Sequence, residues 1–160
     1  MLSDSGRLRG DLTVFNWDDS TFWIMGSYYL RQWHLRWFDA QRQAFHVQVR
    51  DISDAVTGFS LSGPRSRELL QRLCEEDVGN ESFGFMRCRS MDVGLTRARV
   101  ARLSITGELG YEINVRSGDQ QTLYEELIRA GRDLGLVQIG FNAVLSLRME
   151  KSFGIWTTEF

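Results

Sequence analysis

The chain is poor in the residues that staple a fold together. Its two cysteines, Cys74 and Cys88, have no second pair, and its only histidines are His34 and His46. A zinc site wants four clustered ligands, so no metal site is expected, and both thiols are read as reduced and partly buried. Proline occurs once, at Pro64, and no low-complexity linker interrupts the chain. No apolar run approaches the roughly 18 residues of a membrane helix, and Met1 to Gly10 is too polar for a signal peptide. An excess of one charge is missing too: 19 basic and 21 acidic residues leave a net charge of -2. That argues against nucleic acid or an anionic membrane as partner. The expectation is a soluble, cytoplasmic protein. At 160 residues, 42% of them hydrophobic, it has enough apolar side chains for a core without staples.

What is present divides into two stretches. Leu12, Val14 and Phe15 precede the turn-forming run Asn16-Trp17-Asp18-Asp19-Ser20, and Phe22 to Met25 follows it, which reads as a hairpin. Tyr28 to Phe38 has the spacing of an amphipathic helix, and His46 to Arg50 reads as a further strand. From there the order is strand (Phe59 to Pro64), helix (from Ser66), connector (77–84), strands near 87–93 and 97–105, a Gly-rich turn and the strand Tyr111 to Val115. A helix from Asp119 to Leu134 follows, then another from Ser146 to Phe153. The expected fold class is α+β. A β-rich fragment over 1–55 precedes a ferredoxin-like α+β unit over 56–160, its sheet covered by helices on one face.

Standard catalytic signatures are missing. There is no GxGxxG, no phosphate-loop lysine, no CxxC and no nucleophile elbow, so no FAD or NAD site is expected. Carboxylates in unusual company remain. Asp11 stands among strand formers, where it could cap a turn or hold a cationic nitrogen. In Thr106-Gly107-Glu108-Leu109-Gly110-Tyr111-Glu112 the glycines allow a tight turn at a strand entrance. Glu112 would share a sheet face with Asn114 and suits a heterocycle presenting an amino group beside a ring N–H. Two solvated glutamates flanking a turn is the plainer reading of the same residues. Five tryptophans and ten phenylalanines could wall a flat ligand, or simply form core and interface.

Six segments in order resemble the aminomethyltransferase family, which includes the glycine-cleavage T-protein. They are Gly6 to Val14, His34 to Trp37, Leu61 to Arg67, Ala101 to Ile113, Ser146 to Lys151 and Gly154 to Trp156. No single segment is diagnostic, but together they span nearly the whole chain. They look most like the folate modules of dimethylglycine and sarcosine dehydrogenases. The resemblance implies one-carbon transfer from a small methylated amine, or its iminium, to tetrahydrofolate. It also implies a flavin-dependent dehydrogenase chain as partner.

Carried over by position, Asp11 matches the aspartate near the reacting folate nitrogens, and Glu112 the glutamate that pairs with the pterin. Phe15 falls where an aromatic lies against the pterin, and Glu108 and Arg148 lie in matching motifs. The chain departs from T-proteins at Ile105, where they carry tyrosine, after Ile24-Met25-Gly26-Ser27, where they carry asparagine, and at Val144, where they carry arginine. The last two departures favour the dehydrogenase branch. The matching segment covers the middle of the family fold, so the strands of the first stretch want outside partners, and a homo-oligomer is expected. The alternative function is a non-catalytic folate-fold binding or assembly module with no turnover alone.

Overall fold

A computed structural model of the chain describes residues 1–156 and 158–159. It contains two compact units, one formed by Met1–Ser53 with the residues from Ile155 on, the other by Asp54–Gly154.

In the second unit, alternation of apolar and polar side chains builds the sheet. Strand β3 (Val56–Ser62) is followed by helix α2 (Ser66–Gln71), the strands β4 (Cys88–Val93), β5 (Thr96–Ala101) and β6 (Gly110–Arg116), and the helices α3 (Gln120–Gly131) and α4 (Phe141–Glu150). The four strands lie in the order β3-β6-β5-β4, and every neighbouring pair is antiparallel. Leu61, Met91, Val93, Val100, Tyr111, Ile113 and Val115 point to one face, where they meet Leu69 and Leu70 of α2 and Leu123 and Leu127 of α3. Leu123 is fully buried; removing such a side chain from water is worth about 1.5–3 kcal/mol. The buried Tyr111 phenol keeps partners: Arg67 Nε donates to it at 3.3 Å and its own proton goes to Val78 O at 3.4 Å. The architecture is α+β with an antiparallel sheet, as the residue pattern implies.

The opposite face of that sheet carries the functional interest. Pairing sets Ser60 and Ala101 on either side of Glu112, and Gly58 and Arg99 on either side of Asn114. Cys88 lies next to Ala101 and Ser90 next to Arg99. The two side chains directly opposite Glu112, Ser60 and Ala101, are therefore small.

The first unit is a hairpin followed by a helix. Strands β1 (Thr13–Asn16) and β2 (Phe22–Met25) pair antiparallel, with Phe15 opposite Trp23 and Val14 opposite Ile24. Asp18 Oδ1 closes the turn by accepting from the Ser20 N–H at 2.9 Å and the Ser20 hydroxyl at 3.1 Å. Phe15 is buried, whereas Val14, Phe22 and Ile24 on the other face are exposed. A 3-10 turn at Tyr28–Leu30 leads into helix α1 (Arg31–Gln41).

Two expectations need correction. His46 to Arg50 forms no strand: these residues are exposed, and the Val47 N–H donates back to Phe45 O at 3.0 Å. A strand needs an edge to pair with, and alternation alone does not supply one. The last helix starts at Phe141 rather than Ser146 and ends at Glu150.

Candidate functional site

Glu112 lies in β6 on the sheet face opposite the core cluster and is partly buried. Burial disfavours its charged form and pushes its pKa upward, and no neighbouring cation opposes this. Among the described residues it makes no hydrogen bond and no ion pair. A partly buried carboxylate with no donor from the protein is left to solvent or to a ligand that brings N–H groups.

The turn before β6 is built to hold that strand in place. Ser62 Oγ lies 3.0 Å from Ser104 Oγ, and Ser104 Oγ lies 2.8 Å from Thr106 Oγ1, so hydroxyls tie the end of β3 to the turn. Leu109 O accepts from both the Gly63 N–H (2.8 Å) and the Ser66 hydroxyl (3.0 Å). Gly107 has φ 72 and packs against Lys151, where a Cβ would stand 2.7 Å from the lysine Cγ, so the position favours glycine. Glu108 is exposed and pairs with Lys151 Nζ at 3.2 Å, which fixes the turn but adds little stability at the surface. The sequence singles out the two glutamates; the hydroxyl chain and Lys151 emerge only from the fold.

Arg148 is buried, and its Nη1 donates to Phe153 O at 2.8 Å, which anchors the segment after α4. In the first unit, Phe15 is 5% exposed and stacks on Trp17 at a centroid distance of 5.8 Å and an interplanar angle of 21°. Trp17 in turn meets Trp23 edge-on at 5.6 Å. Phe15 is therefore already part of an aromatic cluster. Asp11 is exposed just before β1 and makes no hydrogen bond or ion pair among the described residues. Asp11 and Phe15 belong to one unit, and Glu112, Glu108 and Arg148 to the other. Trp33 and His34 of α1, which support the chain around Asp11, escaped residue-by-residue reading because no spacing rule joins positions 10 and 34.

Thiol and metal chemistry find no footing here. Burial raises the Cys74 thiol to about 12 and pushes Cys88 upward as well, so neither is a ready thiolate. No group of three His, Cys, Asp or Glu side chains among the described residues is placed to hold a metal ion. No helix among them is long and apolar enough to cross a membrane.

An antiparallel α+β sheet of this kind recurs in a solved chain of the heterotetrameric sarcosine oxidase from Corynebacterium sp. U-96, in complex with pyrrole 2-carboxylate. The TM-score is 0.64 at 21% identity, covering 84% of this chain and 66% of that one, which makes it a likeness of fold. The family model described as the GCVT N-terminal domain matches residues 1–160, and the chain belongs to that family. The mitochondrial dimethylglycine dehydrogenase of Rattus norvegicus is 33% identical over 99% of this chain and 19% of its own length. The aminomethyltransferase of Alkaliphilus metalliredigens (strain QYMF) is 29% identical over 99% of this chain and 43% of its own length. The chain thus spans about a fifth of the first relative and under half of the second.

Proposed function

We propose that this chain is a tetrahydrofolate-binding, aminomethyltransferase-like module, serving transfer of a one-carbon unit from a methylated amine or its iminium to tetrahydrofolate. The observation that carries the reading is Glu112. A partly buried carboxylate without donors, set among Ser60, Ala101 and Gly58, is shaped for a flat heterocycle that offers two adjacent N–H groups. The 2-amino group and ring N–H of a pterin are such a pair. Membership of the GCVT N-terminal domain family supports the same ligand class.

Tetrahydrofolate, when bound, supplies the nitrogens that accept the one-carbon unit. Glu112 would hold the pterin by accepting from its amino and ring N–H groups. Glu108, tethered by Lys151, and buried Arg148 would keep the surrounding loop and helix end in place. Phe15, which the resemblance sets against the pterin, would reach a ligand only by leaving its stack on Trp17. Asp11, with its carboxylate unengaged, would stabilise positive charge on the reacting nitrogen. The amine would be supplied by a flavin-dependent dehydrogenase, the partner that the resemblance implies.

A non-catalytic binding module is the second reading. Ligand chemistry tests the pterin pairing in either case. A tetrahydrofolate analogue lacking the 2-amino group is expected to bind about tenfold more weakly or worse, because one charge-assisted hydrogen bond is worth roughly 1.5–3 kcal/mol. Equal affinity for the two ligands would refute the pairing.

A further inference from the structure

With its carboxylate exposed and unbonded among the described residues, Asp11 is placed by its backbone neighbours alone. Those neighbours rest on α1. The Trp33 indole Nε1 donates to Arg9 O at 2.9 Å, and the Arg9 guanidinium lies 5.5 Å from the same ring's centroid. Beside it, His34 is 6% exposed and fills a slot between two glycines. A Cβ on Gly10 would stand 3.1 Å from His34 Nε2; one on Gly26 would stand 3.1 Å from Cε1 and 3.2 Å from Nδ1. Leu12 lies against Gly26, so Arg9, Gly10 and Leu12 are all seated and only the Asp11 side chain is left free.

His34 Nε2 is buried and has no hydrogen-bond partner. A proton on that nitrogen would place a charge and an unmatched donor against the Gly10 backbone. The seat therefore works with the ring neutral. We propose that Trp33 and His34 form a platform that fixes Asp11, and that His34 acts on it as a positioning residue in its neutral form.

The charges around the ring agree with this. The Met1 ammonium donates to Gly10 O at 2.8 Å. Arg9 and Asp11 flank Gly10, while on α1 Arg31 is paired with Asp51 and Arg36 is exposed. Gly26 and the end of β2 bring no charge. Burial lowers the His34 pKa from its ordinary 6.5. Acid therefore strains the Asp11 seat only below the range where an ordinary histidine titrates.

The functional meaning of the platform rests on the reading of Asp11 given above; the platform itself does not. With only two histidines in the chain, an NMR titration between about pH 5 and pH 8 can follow His34 directly, with His46→Gln assigning the signals. The His34 ring is expected to titrate below 6.5, with the Gly10 and Asp11 amide shifts following the same midpoint. In His34→Leu, which fills the slot and cannot titrate, that step should vanish from both amides. His34→Gln gives the same readout if the leucine variant does not fold.

A His34 midpoint at or above 6.5, or Gly10 and Asp11 amides that ignore it, would overturn the proposal. Tetrahydrofolate titrated at both ends of the range supplies the functional arm. Wild-type affinity should fall about tenfold on the acid side, and that of His34→Leu should stay flat. Identical pH profiles for the two proteins would remove His34 from the function. Absence of binding at either end would sink the folate reading alone, leaving the platform to be decided by the amides.

Discussion

Replacing Glu112 by glutamine is expected to make the ligand-free protein more stable at neutral pH. The carboxylate is partly buried, unpartnered among the described residues and pushed above its ordinary pKa of 4.5 by burial. In the unfolded chain it ionises freely, so the native state binds more protons between 4.5 and the raised native value. Native stability therefore falls as pH rises through that window and stays reduced above it. Leaving a buried polar group unsatisfied costs about 1–3 kcal/mol, and residual solvent contact places Glu112 near the lower end. Glutamine removes the charge and keeps the shape, so a gain of about 1 kcal/mol, or roughly 2–4 °C in Tm, is expected at about pH 7.5. Urea unfolding of both proteins at about pH 7.5 and pH 4 measures it. The gain should shrink toward zero at the acid end, where wild-type Glu112 is largely neutral as well. A variant equally or less stable at neutral pH would mean that Glu112 is already satisfied within the protein, and the argument for an external donor would fail.

Two further outcomes test other parts of the account. Leu123→Ala empties a fully buried position between α3 and the sheet and should cost about 2–5 kcal/mol by urea unfolding. A loss under about 1 kcal/mol would contradict the packing described. Asp11→Ala should lower methylenetetrahydrofolate formation at least about tenfold, in an assay that supplies the amine and the dehydrogenase, because a charge-stabilising group would be lost. Unchanged turnover would exclude Asp11 from the chemistry.

Local signals carried much of the fold. Asn16 to Ser20 gave the hairpin its turn, and Asp18 closes it on Ser20 as short polar side chains do in turns. Leu123 and Leu127 marked the buried stripe of α3, and Tyr111, Ile113 and Val115 the buried face of β6. The failure at His46 to Arg50 has the opposite cause, since strand formation depends on a partner edge that no local pattern encodes. For the site, residue type and resemblance were enough to single out Glu112, but what gives it meaning is non-local. Ser60 and Ala101 flank it only through the pairing register, 52 and 11 positions away in the chain. His34 was still less legible, because its contacts with Gly10 and Gly26 bring together three separate segments.

The central claim is that Glu112 holds a pterin, and calorimetric titration with tetrahydrofolate tests it most directly. The wild-type chain should bind at roughly micromolar concentration, and Glu112→Gln about tenfold to a hundredfold more weakly, as losing a charge-assisted pair of hydrogen bonds requires. No heat from the wild type up to about millimolar ligand, or equal affinity in the two proteins, would contradict it.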